Sequence, residues 1–176
     1  MNRKRNDQKD DRLPIDLSAI EDRYYLFGTL AAFANLMQTV GDSVFEEITW
    51  KQWFALLGAI TLQPSPSISQ VADFVGTSHQ NMKRLLLRLQ STGLVRLEKD
   101  DADLRRTLVT LTPEVEVFEE KYRQSNSLFM DRLFEDISDE SLATARLVLD
   151  QLHHNLRAIE QDICKREDRN DRDHLR

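Results

Sequence analysis

The chain has 176 residues, 40% hydrophobic and 31% charged, with five Gly and four Pro. This length supports one compact domain with appended helices rather than two independent domains, and so little Gly and Pro favours a largely helical fold. A formal net charge of −6 argues against indiscriminate nucleic-acid binding, and one cysteine excludes an internal disulfide framework. No apolar run approaches the roughly 20 residues of a bilayer span. The charged start also lacks the apolar core of a secretory signal, so a cytoplasmic protein with no membrane partner is expected.

Residues 1–13 are nearly devoid of apolar side chains and are expected to be disordered. In the segment 14–46, Leu17, Ile20, Tyr24, Phe27, Ala31 and Ala34 recur at helical spacing, with a second row at Leu26, Leu30, Phe33 and Met37. Two apolar rows predict a helix from Leu17 to Val40 that meets more than one neighbour. Thr49 with Gln52 forms a capping-box pattern opening a helix to about Leu62. Gln63-Pro64-Ser65-Pro66 then reads as a turn, and Ser67 with Gln70 repeats the box.

From Ser67 to Thr112 the order of elements is that of a winged helix-turn-helix. Ser69–Gly76 supplies one short helix and its stop, Ser78–Gln90 a basic helix, and Gly93 its end. Leu94–Leu97 reads as a strand, Glu98–Leu104 as a charged tip and Arg105–Leu111 as the returning strand. Thr112 is expected to cap a helix with Pro113 at its first position, running to about Phe134. Ser138 opens the last helix, along which Leu142, Ala145, Leu149, Leu152, Leu156, Ile159 and Ile163 step alternately by three and four. A seam this long predicts a partner helix and favours a homodimer. The polar tail from Lys165 is expected to fray.

The basic helix divides cleanly into two faces. Met82, Leu85, Leu86 and Leu89 share one, for packing; Gln80, Lys83, Arg84, Leu87 and Arg88 share the other. A helix entering the major groove needs short polar residues at its start, amides or guanidinia that reach base edges, and cations near phosphates. Gln80 is the first choice for base reading, since a primary amide can pair bidentately with adenine; Asn81 could do the same from the flank. Gln80 is free for this if Ser78 caps the helix, and occupied if Thr77 caps it in a box. Lys83 and Arg84 suit bases or phosphates, whereas His79 and Arg88 suit positioning contacts. From His79 to Arg106 seven cations face four carboxylates, a local +3 against −9 elsewhere. At the wing, Asp103 precedes Arg105 and Arg106 and is expected to hold the Arg105 guanidinium for the narrow, electronegative minor groove.

The stretch from Ile48 to Thr112, above all GTSHQNMKRLLLRLQSTGLV followed by DADLRRTLVTLTP, resembles the MarR family of bacterial transcription regulators. The resemblance implies a mostly α fold: a winged helix-turn-helix with a small β-hairpin wing over 47–112, flanked by dimerisation helices at 14–46 and 113–165, with a polar tail at 166–176. It further implies that Ser78–Arg88 reads the major groove of double-stranded DNA and that Arg105 enters the minor groove. Family members often bind small aromatic or other apolar effectors between these regions, which points to Tyr24, Trp50, Trp53 and Phe54. Val115 departs from the family's frequent glycine.

Other chemistry is poorly supported. His153 and His154 are adjacent on a helix and point about 100° apart, so they cannot chelate one ion as an i, i+4 pair could. Cys164 has no second cysteine to resolve an oxidised form. With no Gly-rich phosphate loop, metal-ligand cluster or nucleophile motif, neither an enzyme nor a cofactor is expected. The alternative to a DNA-binding regulator is a winged-helix module for protein contacts, suggested by the acidic net charge.

Overall fold

The computed structural model describes residues 20–62 and 64–174, except the side chains of residues 164 and 166–174. The expectations for residues 1–13, for Leu17 and for the Cys164 thiol lie outside these. Eight elements follow in order: α1 (Asp22–Gly41), α2 (Trp50–Thr61), α3 (Ile68–Val75), α4 (His79–Ser91), β1 (Val95–Lys99), β2 (Thr107–Leu111), α5 (Glu114–Leu133) and α6 (Asp139–His174). They fall into two compact units, residues 1–125 and 126–176.

In the first unit, both capping boxes form as the sequence predicts. Thr49 Oγ1 accepts from the Gln52 N–H while the Gln52 side chain accepts from the Thr49 N–H, and Ser67 and Gln70 do the same. These starts fix α2 and α3 so that Leu56 and Val71 meet Met82, Leu86 and Leu89 of α4 in a core where each is at most 1% exposed. Gly76 closes α3 in the left-handed region at φ 74°, a conformation that strains any side chain with a Cβ. The hairpin is antiparallel, pairing Val95 with Leu111 and Leu97 with Val109. Its second strand also reaches the turn before α3, where the Val109 N–H donates to the Pro66 carbonyl at 2.8 Å and Ser67 bridges Leu108. The wing is therefore anchored at its base to the helix-turn-helix.

Four expectations need correction. The helix α1 starts at Asp22, because Glu21 is still extended at ψ 135° and Asp22 then suits the positive end of the helix. Its apolar rows are largely exposed, with Tyr24 at 62% and Phe27 at 79%; only its end is buried, where Gly41 lies under Trp50. The returning strand starts at Thr107, so Arg105 and Arg106 belong to the turn. Thr112 does not cap α5. Its hydroxyl donates back to the Gly93 carbonyl at 2.6 Å, latching the end of the hairpin onto the loop after α4.

In the second unit, Asp136 takes φ 61° in the turn between the helices, and Ser138 Oγ accepts from the Ser141 N–H to open α6. The helix extends to His174 rather than fraying from Lys165, since nothing in KREDRNDRDH is a Gly or Pro stop. The predicted seam is open: Leu149 is 48% exposed, Leu156 67% and Ile159 54%.

Candidate nucleic-acid interface

Ser78 is the cap of α4, its Oγ accepting from the Asn81 N–H at 3.3 Å. The alternative box from Thr77 to Gln80 does not form. Gln80 is exposed and, among the described residues, its side chain has no hydrogen-bond partner. Asn81 is half-buried and engaged on both sides: its Nδ2 donates to Thr77 Oγ1 at 2.8 Å, and its Oδ1 accepts from Arg84 Nη2 at 2.7 Å. The predicted division of faces holds. Met82, Leu85, Leu86 and Leu89 are buried, while His79, Gln80, Lys83, Arg84, Leu87 and Arg88 are exposed. Among the described residues, no carboxylate pairs with Lys83, Arg84 or Arg88, so their charges are available to an anionic partner.

At the wing the carboxylates work differently from the sequence expectation. Asp103 Oδ1 accepts from the backbone N–H of Arg105 at 3.1 Å and does not hold its guanidinium. A short aspartate side chain reaches the nearby backbone two residues on more readily than the end of a long arginine. Asp100 instead spans the turn, accepting from the Ala102 N–H at 2.9 Å and lying 3.5 Å from Arg106 Nη1. Arg106 is thus tied to its own loop. Arg105 is exposed, and among the described residues no ion pair holds it.

Of the aromatic candidates, three come together and one does not. Trp50 and Trp53 stack with centroids 4.8 Å apart, and Phe54 meets each edge-on at 5.4 Å. Phe45 joins them to Phe118 and Tyr122 of α5. Tyr24 stands apart on α1 beneath the Arg23 guanidinium, 5.0 Å from its ring centre. A cavity of about 480 Å³ opens elsewhere, between the end of α4, β1 and the start of α5, lined by Gln90, Arg96, Glu98 and Glu114 among others.

Sequence reasoning missed a polar clip beside the aromatic cluster. Glu47, in the loop before α2, accepts from Lys121 and from the Tyr122 hydroxyl, and that hydroxyl also accepts from the Glu46 N–H at 3.1 Å. The hydrogen bond from Lys121, and then that from Tyr122, hold the Glu47 carboxyl below the usual carboxylate range. The same bond to Glu47 raises the Lys121 ammonium above its ordinary value. Partners 74 and 75 residues apart in the chain leave no local spacing signal. Among the described residues there is no metal-ligating cluster, and no helix is long and apolar enough to cross a membrane.

A sequence model of the MarR family matches residues 48–106, which include α2, α3, α4, β1 and the wing turn. The chain carries a MarR-family winged helix. Similar in sequence is the transcriptional activatory protein BadR of Rhodopseudomonas palustris, 34% identical over 92 residues, 49% of this chain and 52% of that protein. The match thus spans about half the length of that curated relative. Among solved structures, BpsR of Bordetella bronchiseptica, described as regulated in DNA binding by 6-hydroxynicotinic acid, aligns with a TM-score of 0.63 at 18% identity, covering 73% of this chain and 98% of that one. The PcaV transcriptional regulator of Streptomyces coelicolor, solved with its natural ligand, aligns at 0.62 with 20% identity, covering 81% and 98%. A MarR/EmrR family regulator from Acinetobacter reaches 0.67 at 14% identity, covering 78% and 98%. At these identities the likeness establishes the winged-helix fold.

Proposed function

We propose that this protein regulates transcription as a homodimer that binds a pseudo-palindromic DNA site, with α4 in the major groove and the wing arginine Arg105 in the minor groove. The observation that carries this reading is the outer face of α4, where Gln80, Lys83, Arg84 and Arg88 are exposed and unpaired with any carboxylate among the described residues. An acidic protein that leaves these cations uncommitted has a local surface suited to phosphates and base edges. The open seam of α6 supports the second copy, because burying Leu149, Leu152, Leu156 and Ile159 requires another helix. Two copies would address half-sites about one helical turn apart.

A small aromatic or apolar effector fits the same reading. Its support is the ring cluster of Trp50, Trp53 and Phe54, together with the 6-hydroxynicotinic acid named for BpsR and the presence of a natural ligand with PcaV. Tyr24 would join such a site only after a rearrangement of α1.

The deciding experiment selects duplexes from a random pool with the full chain and titrates the best one over a salt series. Affinity should fall steeply with salt, since displaced counterions drive the binding. Failure to enrich any sequence, or affinity insensitive to salt, would overturn the proposal. A thermal-shift screen of aromatic acids addresses the effector, which should raise the unfolding midpoint and weaken DNA binding.

A further inference from the structure

We infer that Asn81 is a positioning residue that turns Arg84 into a reader of guanine, so each half-site carries a G·C pair within about two base steps of the pair read by Gln80. This rests on the DNA-binding reading above and adds the base chemistry of the site. The amide of Asn81 has one workable orientation. Its Oδ1 faces Arg84 Nη2 at 2.7 Å and its Nδ2 faces Thr77 Oγ1 at 2.8 Å. Flipping the amide would set an NH2 against a guanidinium that can only donate, whereas the threonine hydroxyl can accept or donate. Thr77 therefore keys Asn81, and Asn81 keys Arg84.

The direction of that tether matters. Asn81 lies three residues toward the N-terminus of α4, so its carbonyl oxygen draws the Arg84 side chain back over the first turn. The first turn of a recognition helix is the part that reaches base edges, while cations further along meet phosphates. Asn81 occupies one Arg84 amino group and leaves the remaining donors of the guanidinium free. A guanidinium presented in one plane matches the O6 and N7 acceptors of guanine. Lys83 and Arg88 have no such tether among the described residues. Gln80 lies one turn before Arg84 on the same face, and Cβ atoms so spaced are about 6 Å apart, comparable with two steps of roughly 3.4 Å along a strand.

The test is the ratio of affinities for the selected duplex and for duplexes changed at one base pair at a time, measured with the full chain. The wild type should prefer guanine at one position per half-site, and Arg84→Ala should cut that preference by about tenfold. Asn81→Ala should cut it by about threefold to fivefold at the same base pair, with no further loss in the double variant. The Ser78 cap uses the Asn81 backbone N–H and survives the truncation, which circular dichroism would register as unchanged helicity. Asn81→Asp keeps an acceptor for Arg84 and should restore the preference. Preference retained in Asn81→Ala, or lost at a different base pair from Arg84→Ala, overturns the inference. Wild-type binding with no guanine preference overturns it while leaving the DNA-binding reading intact; absence of any salt-dependent binding overturns both.

Discussion

In α4, Leu85, Leu86 and Leu89 are 8%, 0% and 0% exposed; in α6, Leu149, Leu152 and Leu156 are 48%, 43% and 67% exposed. Both helices repeat leucine at steps of three and four, so their patterns alone do not separate them. The difference lies in what the chain supplies. The 13 residues of α4 are covered by α2, α3 and the hairpin, whereas the 36 residues of α6 form a rod of about 54 Å, too long for a small domain to cover. One helix is covered by its own fold, and the apolar seam of the other is exposed. Charge shows the same contrast in miniature at the wing, where Arg106 is tied to Asp100 and Arg105 is not.

Substitutions on the two sides of this contrast should behave oppositely. Leu86→Ala leaves a cavity in the committed core and should cost about 3 to 4 kcal/mol, read as a lowered urea midpoint. A loss below about 0.5 kcal/mol would mean that the site collapses freely. Replacing Leu149 and Leu156 together by Lys should instead leave the winged helix folded, halve the sedimenting mass and lower affinity for the selected duplex by about a hundredfold. A variant that stays dimeric would remove α6 from the interface.

Gly41→Ala probes the buried end of α1. A Cβ there would overlap the Trp50 ring, so the variant should lose about 2 kcal/mol and change its tryptophan fluorescence. Unaltered stability would show that the loop yields freely. At the wing, Arg105→Ala should lower affinity by about tenfold and reduce the salt slope by about one, while Arg106→Ala should do distinctly less. Equal effects in anisotropy titrations would erase the distinction drawn between them.

The smallest effect belongs to Glu47. Its pKa is lower in the folded chain than in the unfolded one, so its contribution to stability is complete above the ordinary carboxylate range and is lost as pH falls through the lowered value. Glu47→Gln should flatten that acid limb in urea midpoints taken between about pH 7 and pH 3. A limb as steep as in the wild type would assign the dependence to other carboxylates. Because this carboxylate is substantially exposed, solvent screening keeps its effect modest.

Much of the architecture was legible because it rests on short-range chemistry. Thr49 with Gln52 and Ser67 with Gln70 each announce a helix start within four residues, and Gly76 and Gly93 announce the stops, whereas the start of α4 was open between Thr77 and Ser78 until the structure chose Ser78. The two faces of α4 follow from spacing alone. The candidate site was legible as a set of residues but not as a set of roles. Asn81 and Gln80 are both amides near the start of α4; Thr77 and Arg84 engage Asn81, and the Ser78 cap leaves Gln80 free. Asp103 and Asp100 are both carboxylates near two arginines, and only the turn's geometry sends one to a backbone N–H and the other to Arg106.

The sequence by itself determined the order of elements, the winged-helix class and the basic face, because capping, periodicity and glycine stops act within one or two turns of chain. Tertiary structure alone decided that Thr112 latches to Gly93, that Pro66 pairs with the wing and that Glu47 meets Lys121 and Tyr122. Those contacts join residues 19 to 75 positions apart. At such separations any donor could meet any acceptor, and the choice is made by the packed core that brings two of them together.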